Sequence, residues 1–177
     1  MRIATWNVNS IRQRLEHLTS WLKECSPDIV CLQEIKCVDE AFPRLEIESL
    51  GYNVVTHGQK TFNGVALLSK LPFDETKSGL AGDALFRPET REAFQSLLGL
   101  GLTDALRAVT DEPNLYTFWD YQAGAWQKNW GLRIDHLLLS PQASDRLTNV
   151  GVDSYVRAWE KPSDHVPVWA DFDLETT

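Results

Sequence analysis

The sequence predicts an α/β fold, and three consecutive stretches near its start carry that prediction. Residues 2–8 read as a strand with one apolar face, and residues 29–34 form a nearly continuous apolar run that is typical of a buried strand. Between them, residues 11–25 keep apolar side chains at helical spacing, with Ser10 predicted as the helix cap. Such a strand–helix–strand unit is right-handed and places its two strands parallel in one sheet.

The later elements follow from the same two periodicities. The second long helix is indicated by Pro88 near its first turn and Gly101 beyond its end. Helices are predicted over residues 45–50 and 88–99, loops over 72–82 and 122–130, and strands over 52–57, 63–69, 115–120, 132–139, 150–157 and 166–173.

Length and composition indicate one globular domain, taken as residues 1–177. There is no signal-peptide pattern and no apolar run long enough to span a bilayer, so we expect a cytoplasmic protein with no membrane partner. Cys25, Cys31 and Cys37 stand six residues apart, which fits no common zinc pattern and favours free thiols in a reducing compartment. The net charge of −8 counts mildly against a nucleic-acid binder, whereas a surplus of carboxylates suits a divalent-metal site.

Polar residues stand at the predicted strand ends, where α/β sheets bind ligands. Asn7 and Glu34 end the two parallel strands and should therefore meet at one rim of the sheet. Asp164 and His165 lie in a turn between two prolines near the C-terminus, and Asp135 lies within a predicted strand. An acid at such a turn can bind a metal, and a histidine can accept a proton or face a phosphate.

Each of these residues also has a structural interpretation, and the residues alone leave both open. An Asn after a strand is often a turn former, and Glu34 could be solvated or ion-paired next to Lys36. Asp135 could pair with Arg133 two residues before it, since structural ion pairs are common.

Six short motifs stand in order along nearly the whole chain. They are Thr5-Trp6-Asn7-Val8-Asn9-Ser10-Ile11-Arg12, Leu32-Gln33-Glu34-Ile35-Lys36, residues 51–60, Gly64-Val65-Ala66-Leu67-Leu68-Ser69, Gly131-Leu132-Arg133-Ile134-Asp135-His136 and Pro162-Ser163-Asp164-His165. In sequence and order they resemble the exonuclease III family of abasic-site endonucleases, within the endonuclease/exonuclease/phosphatase superfamily. The resemblance implies a four-layer α/β sandwich, with two packed mixed sheets flanked by helices.

The resemblance also implies an activity and a set of site residues. The family consists of metal-dependent phosphodiesterases that act on double-stranded DNA with abasic sites or 3′ ends. Glu34 resembles the principal Mg²⁺ ligand, with Mn²⁺ as the other candidate metal, and Asp164 resembles a second acidic group at the metal. Asn7 is similar to a residue that orients the ligands of the metal or the attacking water. His165, held by Asp135, resembles the family's histidine beside the scissile phosphate.

Further residues correspond to the DNA-binding surface of the family. Trp119 and Trp126 match a loop whose aromatic residues shape the pocket for a flipped-out abasic sugar, although Trp119 could equally be a core residue. Trp130 departs from the family and would either expose apolar surface near the site or fill a gap. The candidates for phosphate contacts, each of which could also be a solvated side chain, are Arg12, Lys36, Lys60 and Lys128.

The chain departs from the family mainly in length. Relative to the family, a large internal segment is missing near Leu80-Ala81, and that segment carries the catalytic tyrosine and a Gly-Asp-x-Asn motif. We therefore expect a reduced sandwich that lacks central strands, impaired catalysis, and a possible homodimer that covers the bare sheet. Only His136 and Asp83 remain as replacements for the group that positions the water.

Two other functions fit the same residues. The first is a non-catalytic or engineered deletion variant that retains metal and phosphate binding. The second is a phosphodiesterase for a small or lipid phosphoester, which the negative charge favours slightly, while the Arg-Ile-Asp-His and tryptophan-loop matches favour DNA.

Overall fold

The computed structural model describes residues 1–59, 61, 63–76 and 90–174, and for residues 90–93 the backbone alone. The strands are β1 (Arg2–Asn7), β2 (Ile29–Gln33), β3 (Asn53–His57), β4 (Val65–Ser69), β5 (Thr103–Asp104), β6 (Leu138–Leu139), β7 (Leu147–Val152) and β8 (Val168–Phe172). The helices are α1 (Leu15–Cys25), α2 (Arg44–Glu48), α3 (Thr90–Gly99), α4 (Ala105–Val109) and α5 (Pro141–Ser144), with 3₁₀ turns at Asp39–Ala41 and Ser154–Ala158.

Six strands form one mixed sheet in the order β3-β4-β2-β1-β8-β7, and β5 pairs with β6 in a second sheet of two strands. Strands β1 and β2 are parallel, and their register places Asn7 opposite Gln33. The other strand pairs are antiparallel. The predicted α/β fold, with a large mixed sheet flanked by helices, is confirmed. The parallel register brings Asn7 and Glu34 to the same rim, as expected.

One face of the large sheet packs against α1. Trp6 of β1 and Trp21 of α1 are both fully buried and meet edge to face, with ring centroids 5.6 Å apart. The indole N–H groups of Trp21 and Trp169 both donate to Asp153, at 2.8 and 3.0 Å. These bonds satisfy polar groups that would be costly to bury alone, so the tryptophans can contribute large apolar area to the core.

The opposite face of the sheet is covered unevenly. Over β8 and β1, Ala105 and Leu139 pack against Ala170 and Phe172 in a second, smaller core. Over β2, β3 and β4, the described residues leave a cavity of about 600 Å³. Its apolar lining includes Cys31, Val55, Val65, Leu67 and Phe73.

Several predicted elements are confirmed, and one helix start is wrong. Strands β1, β2, β3, β4 and β8 and helices α2 and α3 lie within or beside their predicted ranges. Helix α1 begins at Leu15, and no side chain caps it. Ser10 instead has φ 89°, and its carbonyl accepts the backbone N–H of Arg14 at 3.2 Å. The chain leaves β1 through left-handed residues that cannot join a helix.

The strands predicted over 115–120 and 132–139 are largely wrong. Phe118 makes only isolated bridges to Leu132 and His165, and of the second range only Leu138–Leu139 is a strand. A strand requires neighbours along its whole length, and the described residues provide them at single points. The predicted strand 150–157 ends at Val152, where the chain turns into the 3₁₀ segment Ser154–Ala158.

Some predictions lie wholly or partly outside the described residues. They concern the loop after residue 76, Pro88 at the start of α3, the junction at Leu80-Ala81, and Asp83. The single domain over residues 1–177 likewise remains a prediction. Among the described residues, no helix combines the length and apolar character that crossing a membrane requires.

Candidate active site

The carboxylate of Glu34 is oriented by Asn7. Asn7 is 8% exposed at the end of β1, and its Nδ2 donates to Glu34 Oε1 at 2.9 Å. Its Oδ1 accepts the backbone N–H of Asn9 at 3.0 Å, which fixes the amide orientation. Glu34 itself has φ 49°, in the left-handed region that L residues rarely adopt. Such local strain is typical of functional positions.

A chain of polar contacts connects Glu34 with Asp164. Lys36 Nζ lies 3.1 Å from Glu34 Oε2 and also donates to Asn9 Oδ1. The Nδ2 of Asn9 donates to Asp164 Oδ1 at 2.9 Å. The structure therefore connects the two predicted metal ligands, 130 positions apart in sequence, through the side chains of Lys36 and Asn9. Asn9 stands in the first of the six motifs, but the motif alone does not predict this bridging position.

His165 and Asp135 form the predicted pair. His165 Nδ1 lies 2.8 Å from Asp135 Oδ2, and both side chains are about nine-tenths buried. The imidazole is tilted against the ring of Phe118, with centroids 4.9 Å apart. Trp6 Nε1 donates to the backbone carbonyl of His165 at 3.2 Å, which ties the histidine to the central core.

Ser163 anchors the Asp164-His165 turn to β1. It is 1% exposed, and its hydroxyl donates to the carbonyl of Asn7 at 2.7 Å. The same oxygen accepts the backbone N–H of His165 at 3.2 Å. One buried hydroxyl thus sets the position of the turn relative to Asn7. Ser163 lies in the Pro-Ser-Asp-His motif, and this position was the feature of the sequence that could have predicted its anchoring role.

Tyr121 and Arg14 hold the other end of this turn. The Tyr121 hydroxyl donates to the carbonyl of Pro162 at 2.8 Å, and Arg14 Nη2 donates to the same carbonyl at 3.2 Å. Burial raises the pKa of Tyr121, and the nearby charge of Asp164 raises it further. Tyr121 therefore keeps its proton for this hydrogen bond at neutral pH.

A second acid–histidine cluster lies next to Asp135 in sequence. Asp104 is 7% exposed, and its Oδ2 lies 2.5 Å from Arg133 Nη1 and 3.0 Å from His136 Nδ1. Burial opposes ionisation of Asp104, but hydrogen bonds from His136 and Arg133 outweigh it and lower its pKa to about 2. Arg133 thus pairs with Asp104, and the structural interpretation of Asp135 as its partner is wrong. Asp104 precedes the short helix α4 and caps it, a signal that sequence reasoning missed.

Trp119 and Trp126 occupy the predicted loop but differ in exposure. Trp119 is 3% exposed, and its Nε1 donates to Asn129 Oδ1 at 3.1 Å. It packs edge to face on the half-buried Trp126, with centroids 4.9 Å apart. Burial of Trp119 agrees with the core interpretation, because the ring is already covered by protein.

The residues predicted to contact phosphate differ in exposure. Arg12 and Lys128 are exposed, whereas Lys36 is half-buried against Glu34 and Asn9. Lys60 lies outside the described residues. Of the three cations that the structure describes, Lys36 is the one seen to contact the Glu34 site directly.

The donor set at Glu34 suits a hard cation. Among the described residues, no group of three or more His, Cys, Asp or Glu side chains is arranged to hold a metal. Mg²⁺ does not require such a group, because it commonly binds through one or two carboxylates and keeps several waters. Glu34, with its side chain 35% exposed, and the half-buried Asp164 provide such carboxylates, and neither is sealed from solvent.

Comparison with known proteins agrees with this geometry. The pattern that defines the endonuclease/exonuclease/phosphatase family matches residues 4–165. The chain belongs to this family. All the residues of the site described above, from Asn7 to His165, lie within the matched range.

Relatives within the family have similar sequences and structures. Exodeoxyribonuclease III of Haemophilus influenzae is 29% identical, over 97% of this chain and 100% of that protein. An AP endonuclease from Archaeoglobus fulgidus has a TM-score of 0.92 at 28% identity, covering 98% of this chain and all of that one. A variant of the Neisseria 3′ phosphatase NExo, solved with a product DNA hairpin, has a TM-score of 0.91 at 32% identity, covering 98% of this chain and 99% of that one.

The same comparison bears on the missing segment. The alignment with the Haemophilus influenzae protein extends over 266 positions, whereas this chain has 177 residues. That relative therefore contains residues with no counterpart here, which fits an internal deletion in this family member.

Proposed function

We propose that this chain is a Mg²⁺-dependent DNA phosphodiesterase of the exonuclease III type, acting at abasic sites and 3′ ends of double-stranded DNA. The observation that carries the proposal is the convergence of Glu34, oriented by Asn7, with the Asp164-His165 turn and its partner Asp135. Carboxylates beside a carboxylate-held histidine suit binding and cleavage of a phosphodiester.

Glu34 and Asp164 would hold the metal, with Mn²⁺ as the alternative ion, and Asn7 would keep the Glu34 carboxylate in its binding orientation. A bound divalent ion neutralises phosphate charge and stabilises the leaving oxygen. Lys36, 3.1 Å from Glu34, adds positive charge at the same place and would contribute to phosphate binding.

The His165–Asp135 pair would act on the phosphate itself. Asp135 accepts the Nδ1 proton of His165, and this contact fixes both the tautomer and the ring plane. The other ring nitrogen is then the group that can face a phosphate oxygen. Phe118 packs on the imidazole, and Leu132 beside it is 56% exposed. This apolar surface next to a phosphate site suits a deoxyribose that lacks its base.

Catalysis by this chain is expected to be slow. The family segment that carries the tyrosine and the Gly-Asp-x-Asn motif has no counterpart near Leu80-Ala81, and loss of a general base typically costs about 10²–10⁴ in rate. His136 does not replace that group, because Asp104 and Arg133 already engage it. This engagement favours a second candidate function, a deletion variant that binds metal and DNA phosphate without cleaving.

Cleavage of a duplex with one abasic site separates the two functions. We expect slow nicking with Mg²⁺ and none with EDTA. Glu34→Ala and His165→Ala should abolish the nicking, whereas the exposed controls Glu46→Ala and His57→Ala should retain it. Binding without metal-dependent nicking would support the non-catalytic variant, and nicking by Glu34→Ala would refute the site.

We also propose that a second copy covers the open part of the sheet. The cavity of about 600 Å³ over β2, β3 and β4 is lined largely by apolar side chains, and β3 is an edge of the sheet. Light scattering should then show a dimer, and a compact monomer at all concentrations would refute it.

A cytoplasmic location is supported by Cys25, Cys31 and Cys37, which are all free thiols.

A further inference from the structure

Trp130 is the most exposed aromatic side chain of residues 118–130, which we call the tryptophan loop. It is 63% exposed, although Trp is costly to leave in water. The ammonium of Lys128 lies 4.4 Å from its ring centroid, in a cation–π arrangement. Trp130 therefore does not fill a gap in the core, and its exposure requires another explanation.

The backbone around Trp130 is held firmly. Its N–H donates to the carbonyl of Ala125 at 2.8 Å, and the preceding Asn129 has φ 52°. The side chain of Asn129 accepts the indole proton of Trp119 at 3.1 Å, so the loop is attached to the core. Exposure of Trp130 thus results from a constrained loop that presents the ring outward.

Trp130 also lies close to the proposed site. Two residues later, Leu132 exchanges backbone hydrogen bonds with Phe118 at 2.9 and 3.0 Å, and Phe118 packs on His165. Two residues of chain span at most about 7 Å. The backbone of Trp130 therefore lies within about 7 Å of the backbone of Leu132, whose bridge to Phe118 places it beside His165.

We propose that Trp130, with Lys128, is a stacking platform for an unpaired nucleobase of DNA next to the phosphodiester bound at His165. An exposed aromatic ring beside a cation is the arrangement by which proteins bind unpaired bases, because every base has a π-face. This inference rests on the proposed function, and it extends the substrate to DNA with an unpaired base beside the cleavage position.

Charge supports stacking as the source of affinity. The chain has a net charge of −8, and Arg133, close to Trp130 in sequence, is already paired with Asp104. Lys128 is therefore the main positive group offered by this loop, while the exposed Asp120 repels phosphate. Binding here should depend on the base more than on a broad basic surface.

The test measures DNA binding in EDTA, where no cleavage is needed. Fluorescein-labelled duplexes, one blunt and one with a short single-stranded 3′ overhang, are titrated with protein and followed by anisotropy. Trp130→Ala should weaken overhang binding about 10-fold, since stacking on an aromatic side chain contributes about 1–3 kcal/mol per base. Trp130→Phe should retain most of the affinity, and blunt-duplex binding should stay unchanged in both variants.

Two further variants complete the design. Lys128→Met should weaken binding to both duplexes. It should also reduce the slope of the logarithm of the binding constant against the logarithm of the salt concentration by about one. Tyr155→Ala is the matched control, because Tyr155 is an exposed aromatic whose contacts are with Cys25 and Trp159. It should bind both duplexes as the unchanged protein does.

The outcomes separate this inference from the proposed function. Equal overhang binding by Trp130→Ala and the unchanged protein overturns the platform, as does equal weakening for blunt and overhang DNA. Trp130-dependent binding without abasic-site nicking supports the platform and refutes the catalytic proposal. Absence of any DNA binding by the unchanged protein in EDTA overturns the platform, and the proposed function is then decided by the Mg²⁺-dependent nicking assay alone.

Discussion

His165 Nδ1 lies 2.8 Å from Asp135 Oδ2, and this contact joins the C-terminal turn to a segment 30 residues earlier. Both ends of the contact are fixed independently. Ser163 holds the turn to β1, while the Thr117 hydroxyl accepts the backbone N–H of Asp135 at 3.1 Å. The pair is thus positioned by the core, and its geometry does not depend on a bound substrate.

Asp135→Asn should slow DNA cleavage with little change in DNA affinity. The amide preserves the shape of the side chain, but it no longer stabilises a charged imidazole and it can favour the wrong tautomer. Loss of one such group typically costs about 10²–10⁴ in rate. Single-turnover nicking together with anisotropy checks this, and an unchanged rate would show that the pair is structural.

Glu34→Gln should remove the response to metal. If Glu34 is the main ligand, adding Mg²⁺ should raise the Tm of the unchanged protein and leave the Tm of the variant where it was, since a ligand stabilises the state that binds it. The hydrogen bond from Asn7 can persist in the variant, so the fold should be retained. Glu46→Gln, on the exposed face of α2, is the control, and a Mg²⁺ response in Glu34→Gln would contradict the assignment.

Ser163→Ala should lower the free energy of unfolding by about 1–3 kcal/mol, because the carbonyl of Asn7 and the N–H of His165 lose a buried partner. Urea denaturation measures the change. Ser20→Ala, at an exposed position of α1, should change stability by less than about 0.5 kcal/mol. Equal effects of the two substitutions would argue that the turn is not anchored through Ser163.

Acid should weaken the contribution of Asp104 to the free energy of unfolding. Its folded-state pKa of about 2 lies below the ordinary 3.8, so the stabilisation is complete above pH 3.8 and is lost as the pH falls towards 2. The difference between these two pKa values corresponds to about 2 kcal/mol in the free energy of unfolding. Urea unfolding of the unchanged protein and Asp104→Asn should therefore differ most near neutral pH and converge towards pH 2. A constant difference between pH 6 and 2 would refute this.

Sequence patterns predicted the central sheet well, since β1, β2 and β4 alternate or run apolar through the core. The same patterns gave a wrong prediction for most of residues 132–139, where an apolar run suggested one buried strand and the structure has only β6 at its end. In the structure Leu132 and Ile134 are 56% and 50% exposed, because the described residues pair with the chain before β6 only at one point, the bridge from Phe118 to Leu132. Apolar patterning reports the tendency to be buried, whereas forming a strand depends on neighbours that another part of the chain must provide.

The motifs are enough to predict the family and the residue types of the candidate site, because Asn7, Glu34, Asp135, Asp164 and His165 stand in motifs that can be recognised one by one. Which of these residues touch depends on the tertiary structure. It paired Arg133 with Asp104 rather than with Asp135, and it placed Asn9 between the Glu34–Lys36 pair and Asp164. Local sequence fixes what a side chain can donate or accept, but partners separated by 30 or more residues are selected by the sheet register and the packing of the whole core.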